Sequence, residues 1–239
     1  MTYTEHPRLL ARIAGLFYLI ITTLALFAYL YVRGQVIVPG DMAQTAANMV
    51  AHERLYRMGF SAAVIVVISN LPLGLIFYEL LKVVNQRLAL LALLFIIVST
   101  TLEAVNLFAY ILPLFPFTLP EYSTLDPATR NALASAPVKL FGYAFSVSLT
   151  FFGVFCAFVG TLIVRSKFLP AILGVLMIVG GVTYWINSFR LFLALPIPYL
   201  PWVTLVAELS LALWLLIVGI NETKWLEQAG AKRPRNVES

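Results

Sequence analysis

Long apolar stretches, each separated by a short polar segment, constrain this chain more than anything else in it. They cover residues 11–32, 58–81, 88–112, 138–164, 169–192 and 202–220. At a rise of about 1.5 Å per residue, roughly 20 residues cross a hydrocarbon core of about 30 Å. Lipid offers no partner to a free backbone N–H or C=O, so only helices and closed barrels traverse it. The stretches lack the alternating ten-residue pattern of a barrel strand. The fold class predicted is all-α: a polytopic membrane protein with about six transmembrane helices and short extracytoplasmic loop helices.

Composition agrees. Of 239 residues, 61% are hydrophobic and 11% charged, against roughly 45–50% and 25% in soluble domains. One six-helix transmembrane domain is expected over residues 1–225, followed by a polar cytoplasmic tail, 226–239, without fixed structure. The run from Ala14 to Val32 is too long for a signal peptide and lacks a small-residue cleavage site after it, so it reads as the first membrane helix. Cys156 is the single cysteine, and it offers no intrachain disulfide.

The net charge of +5 sits between the apolar runs. It reports orientation rather than nucleic-acid binding. One side holds Arg8, Arg12, Lys82, Arg87, Arg165, Lys167, Lys224, Lys232, Arg233 and Arg235. The other holds Arg33, Arg54, Arg57, Arg130 and Lys139, and Arg190 lies near a helix end. Basic residues concentrate on the cytoplasmic side, so both termini are expected there. Trp202 and Trp225 are expected at the two interfaces of the last helix.

Two of the outer loops carry helix signals. Asp41 can cap a helix, with Gln44 completing a capping box; that helix would continue through Met49 to His52–Arg57 and merge with the second span. Asp126-Pro127 opens a second short helix, over about 127–135. Either could lie on the membrane surface or cover the outer end of the bundle.

The chemically unusual residues are polar groups inside apolar helices, where a charge costs about 2.5–3.5 kcal/mol on insertion scales. Ser99, Glu103, Asn106 and Tyr110 share one face of the third span. Thr183, Asn187 and Arg190 share a face of the fifth, and Thr204 and Glu208 lie one turn apart on the sixth. Asn70 precedes Pro72, which should kink the second span. Glu103 lies about 22 Å from the inner side and Glu208 about 9 Å from the outer side by helical rise. Glu103, Asn106, Asn187, Arg190, Glu208 and Asn70 are therefore the candidate lining of a polar cavity in the outer half. His52, Glu53 and Arg57 are candidates for its mouth. Each has a plainer reading: the stripes as interhelical glue, Arg190 snorkelling to the interface, and the His52–Arg57 run as a solvated helix face.

Catalytic signatures are missing: there is no phosphate-binding glycine loop, serine elbow or Cys-x-x-Cys. His52-Glu53 begins like a zinc-protease motif, but Tyr56 stands in place of the second histidine. No catalytic residue, metal ligand or cofactor is assigned. Gly142, Ser146 and Thr150, and Gly153, Ala157 and Thr161, are small residues at four-residue spacing, the pattern of close helix packing. Gly180-Gly181 either bends its helix or admits a neighbour.

Several segments together resemble a known family: Arg8-Leu-Leu-Ala-Arg-Ile-Ala-Gly-Leu-Phe-Tyr-Leu19, Ile37-Val-Pro-Gly-Asp41, Asn48, Ala51-His-Glu-Arg-Leu-Tyr-Arg-Met-Gly-Phe60 and Glu103-Ala-Val-Asn106. They are similar to the bacterial membrane family called domain of unknown function 4386, over roughly residues 8–222. The resemblance implies a bacterial source and a multi-pass membrane location, and it carries over no activity. The partners expected are the lipid bilayer, a small solute, and either a second copy or another membrane subunit, with no nucleic acid. Binding or transport of a small solute is the leading expectation. A structural or accessory subunit comes next, and then an intramembrane metal-dependent enzyme built on His52, Glu53 and a bundle carboxylate.

Overall fold

Residues 6–230 are described by a computed structural model, and the helices in it follow the apolar runs. They are α1 (Pro7–Val36), α2 (Met42–Ala51), α3 (Glu53–Leu81), α4 (Gln86–Thr118, with a 3₁₀ turn at Leu112–Leu114), α5 (Pro127–Arg165), α6 (Ala171–Phe192), α7 (Pro201–Ile217) and α8 (Glu222–Gly230). The described residues contain no strand. α1, α3, α4, α5 and α6 are long and apolar enough to cross a membrane, and α7 joins them when counted with α8, from which it is bent by 96°. The 17 residues of α7 reach about 25 Å at helical rise, close to the lower limit for a span. The chain is an integral membrane protein.

Consecutive spans lie side by side. α1 packs on α3, α3 on α4, α4 on α5, α5 on α6, α6 on α7, and α7 back on α1. The six form a closed ring of antiparallel neighbours. Tyr18, Phe77 and Phe155 fill its middle, edge to face, with centroids 6.1 and 6.0 Å apart. One end carries the short connections at 82–85 and 166–170; it is called the turn end below. The loop end carries residues 37–52, 119–126 and 193–200.

Small residues set the tightest seams. A Cβ on Gly160 would meet the Gly174 carbonyl oxygen at 2.5 Å, and one on Gly181 would meet that of Gly153 at 2.5 Å. α5 and α6 thus touch backbone to backbone at two levels, seven residues apart, and Gly181 admits a neighbour. α1 and α7 do the same at the turn end, where a Cβ on Gly15 would stand 2.4 Å from the Leu216 nitrogen. With no hydrophobic drive between helices in lipid, such approach and interhelical hydrogen bonds supply the cohesion. The Ser99 and Ser148 hydroxyls each donate to the other's carbonyl, at 2.9 and 3.0 Å. Ser188 donates to the Ser146 carbonyl at 2.9 Å, and Trp185 Nε1 to that of Thr150 at 2.9 Å.

Several local expectations change. Asp41 caps α2 by accepting from the Gln44 N–H at 2.9 Å, but Gln44 does not reach back. The Asp41 N–H already donates to the Val38 carbonyl, and the Gln44 side chain bonds Asn48 instead. His52 leaves helical geometry, so α2 and α3 stay separate helices. α3 runs unbroken through Pro72. The short helix expected at 127–135 is the first part of α5, which continues through Pro137 for 39 residues. Leu133, whose carbonyl loses its helical donor to that proline, is exposed, and water can satisfy it. Asp126 caps α5 and accepts from the Thr129 hydroxyl and N–H. These bonds hold its carboxyl below the ordinary carboxylate range, the hydroxyl contributing most.

The last membrane helix ends at Ile217, not near residue 220, with Gly219 in the left-handed region (φ +77°). A left-handed residue there closes a helix end at little cost only when it is glycine. The chain then folds back as α8 across the turn end. Trp225, expected at the membrane interface, is fully buried, and its indole N–H donates to the Leu80 carbonyl at 2.9 Å. The expected unstructured tail is helical through Gly230. Its remainder, with Lys232, Arg233 and Arg235, lies outside the described residues.

The α5–α6 seam predicts a contrast. Gly160→Leu, forced against the backbone of α6, is expected to reduce the yield of monodisperse protein several-fold in fluorescence-detected size-exclusion chromatography. Gly142→Leu, on the same helix with open space before it, is expected to leave the yield unchanged.

Candidate functional site

The π-helical segment Leu26–Val32 of α1 places the first functional side chain. A π turn shifts the helix phase and leaves backbone groups seeking partners, and such segments recur at functional sites. Here the Tyr110 hydroxyl donates to the Ala28 carbonyl at 3.2 Å, bracing the segment from α4. Gly59 of α3 allows this approach; a Cβ there would lie 2.3 Å from the Tyr110 oxygen. The Tyr29 hydroxyl is thereby directed to Glu103 on α4 and donates to its carboxyl at 2.7 Å.

Glu208 has the same kind of partner. It is buried on α7, and the Tyr184 hydroxyl of α6 donates to its Oε1. Among the described residues no cation forms a salt bridge with either carboxyl; the two ion pairs found there are Glu53–Arg57 and Glu79–Lys82. A carboxyl deep in a bundle, held by one tyrosine and no counter-charge, is a costly arrangement for packing alone.

A cavity of about 340 Å³ lies between α1, α5, α6 and α7. Its polar wall is Thr22, Tyr29, Tyr184, Thr204 and Glu208, and the remainder is apolar, including Leu26, Leu30, Phe141, Phe145 and Leu149. Tyr199 and Trp202 line it towards the loop end. The cavity follows from the shape of the ring. α1 and α7 touch at Gly15, and the cavity lies on the loop side of that contact, between residues 21–30 of α1 and 201–208 of α7.

The sequence candidates are distributed unevenly about this space. Glu208 lines it. Glu103 touches it through Tyr29. Asn106 lies on the α4–α5 seam, where its amide donates to the Phe141 carbonyl at 3.2 Å. Asn187 accepts from the Leu200 N–H at 3.0 Å and so ties the α6–α7 loop back over the cavity. Arg190 stands over the ring of Tyr199 at 5.6 Å. Burial pushes the Tyr199 phenol up, and Arg190 opposes that. Asn70 is buried on α3, away from the lining. His52 and Arg57 are exposed and Glu53 is partly so, with Glu53 and Arg57 paired at 2.7 Å. None of the three lines the cavity. Among the described residues no three His, Cys, Asp or Glu side chains gather closely enough to hold a metal ion.

Three functional residues escape a reading from spacing. Tyr29 owes its direction to the π segment, which no periodicity shows. Tyr184 does carry a signal: it lies within the apolar run of α6, about 12 Å by helical rise before the helix ends at Phe192, rather than at an interface, where tyrosine is favoured. Arg33 stacks on Phe141 at 3.8 Å and faces Tyr110 at 5.5 Å. It is a cation held by aromatic rings, although as a sequence residue it reads only as a loop charge.

A family model described as "Domain of unknown function (DUF4386)" matches residues 13–219. No curated protein and no solved structure matches the chain.

The pairing of Tyr29 with Glu103 is testable alone. Tyr29→Phe leaves a buried carboxyl without its donor and is expected to lower unfolding stability by about 1–3 kcal/mol. Glu103→Gln still accepts the tyrosine hydroxyl and is expected to stay close to the parent protein. Reversible unfolding in mixed micelles measures both.

Proposed function

The chain belongs to the DUF4386 family, and from that premise we propose that it binds a small solute in the cavity beside Glu208, either to move the solute across the membrane or to sense it. The observation that carries this reading is the Glu208 carboxyl, which lines an unfilled space of ligand size and has no counter-cation among the described residues. Cavities of roughly 300–1,000 Å³ with a few convergent polar groups suit small molecules. Glu208 would supply charge or exchange a proton, while Tyr184, Thr204 and Tyr29 would fix orientation. Asn187 would act indirectly, through the loop that carries Tyr199.

A structural or accessory role is the second reading. The polar residues that bond across seams favour it: Ser99, Asn106, Ser148 and Ser188 serve packing. Glu208 separates the two readings. If the cavity binds a solute, a panel of organic cations, neutral solutes and anions includes a class that raises the thermal midpoint of the purified protein. A ligand at one hundred times its Kd adds about 2.7 kcal/mol, a shift of several degrees. Glu208→Gln should keep the unliganded midpoint and lose that shift. A panel without effect on the parent protein defeats the solute reading.

The proposed setting is a bacterial inner membrane with both termini cytoplasmic, supported by the basic residues gathered at the turn end. Ser123 and Lys167 are exposed at opposite ends, and the native Cys156 is buried. Ser123→Cys is expected to react with a membrane-impermeant maleimide on intact cells. Lys167→Cys is expected to react only after permeabilisation. The reverse pattern would invert the topology.

A further inference from the structure

Few residues separate the cavity from the outer surface of the bundle. On the lipid-facing side of α1 and α7 a second groove, of about 570 Å³, is lined by Phe27, Tyr31, Gly34 and Gln35 together with Leu26, Leu30, Trp202 and Leu205. Those last four residues also line the cavity that holds Glu208. They form a shared wall, thin and apolar, between the carboxyl and the membrane. Leu30 and Trp202 are 56% and 66% exposed on the bundle surface, so this wall contributes little packing to the protein itself.

The chemistry of the two ends differs. The inner end offers one carboxyl. Its Oε1 takes the Tyr184 hydroxyl, and no donor among the described residues reaches Oε2. Tyr29 and Thr204 line the same cavity, with their hydroxyls donating to Glu103 and to the Pro201 carbonyl. The outer end is mostly hydrocarbon and aromatic ring, with Tyr31 and Gln35 its polar side chains. Glu208 lies seven residues into α7, about 10 Å along the helix from the loop end, a depth an amphiphile's head reaches when its chain stays in the adjoining leaflet. A group that donates hydrogen bonds and carries positive charge complements the free carboxyl oxygen. An amine would bring the counter-charge that the ionised form of this carboxyl lacks, whereas an anion would be repelled by that form and a neutral alcohol would leave it uncompensated.

We propose that the ligand of this cavity is a lipophilic amine, an amphiphile with a hydrocarbon body and an ammonium or amine head, which enters sideways from the bilayer between α1 and α7. The head reaches Glu208 and the body stays in the groove beside Leu26, Leu30 and Trp202. The inference rests on the solute-binding reading of the same cavity and adds the ligand's class and its route.

Tritiated dodecylamine, binding to the full chain in lipid nanodiscs and read by scintillation proximity, tests this. Saturable binding is expected, with unlabelled dodecanol at least tenfold weaker and propylamine without effect as competitors. Glu208→Gln is expected to weaken binding at least tenfold. Leu149→Trp, which fills the cavity from α5 and leaves the carboxyl intact, should abolish it and covers the case in which the glutamine variant fails to fold. The double variant Leu26→Phe/Leu30→Phe is expected to slow association at least tenfold and to change equilibrium affinity less than threefold. Equal competition by propylamine, with association indifferent to the Leu26/Leu30 pair, overturns the lateral amphiphile and leaves a cavity open to water-borne cations. Absence of dodecylamine binding alongside Glu208-dependent stabilisation by another solute also overturns the ligand class alone. Absence of both removes the solute-binding reading as well.

Discussion

The contact of α1 with α7 at Gly15 is the joint on which the bundle depends. Five of the six helix pairs in the ring join sequence neighbours, which short connections would bring together in many arrangements. The α1–α7 pair joins the two ends of the domain, and it closes because a residue without Cβ lets two backbones meet beside Ala212 and Leu216. Helices pinned at one end and bulky at the other must diverge. Tyr29, Leu30, Trp202 and Leu205 line the cavity at the loop end of this pair.

Polar groups in this bundle divide by what they bond. Serines and asparagines on the seams mostly bond backbone carbonyls of the next helix, which fixes register without adding charge. The carboxyls bond tyrosines instead, Glu208 one from the adjoining α6 and Glu103 one from α1, which is not its neighbour in the ring. A tyrosine has a rigid ring and one donor, so it orients a carboxyl without neutralising it. This distinction makes Glu208 a functional candidate and leaves Ser99 a packing residue, although both are buried polar groups in apolar helices. Glu103, shielded behind Tyr29, stands between the two.

Much of the fold is legible in the sequence because lipid imposes so simple a rule: twenty apolar residues, then a break. The spans, their alternation and the caps at Asp41 and Asp126 all follow from local chemistry. The misread features are those in which distant residues decide. Trp225 resembles an interfacial tryptophan until α8 folds under the bundle and gives its indole the Leu80 carbonyl. Pro137 resembles a boundary, yet the helix passes through it. The cavity was legible only in part. Glu208 announces itself as a carboxyl in an apolar run, but its tyrosine partner, and the apolar character of most of the lining, depend on how the helices rotate about their axes. His52, Glu53 and Arg57 lie at the loop end, at and just after the break before α3, and none of them lines the cavity.

The π segment of α1 has a consequence for length. A helix that carries one surplus residue in a widened turn keeps its two flanks in the phase of a helix one residue shorter. Ala11, Ala14 and Tyr18 before the segment, Val32 at its end and Val36 after it are all buried. A single-residue deletion inside Leu26–Val32 would therefore restore an ordinary helix and preserve both flanks, whereas the same deletion elsewhere in α1 would turn one flank by about 100° out of the core. The stretch that aims Tyr29 is thus the one part of this helix whose residue count can vary without rotating its ends.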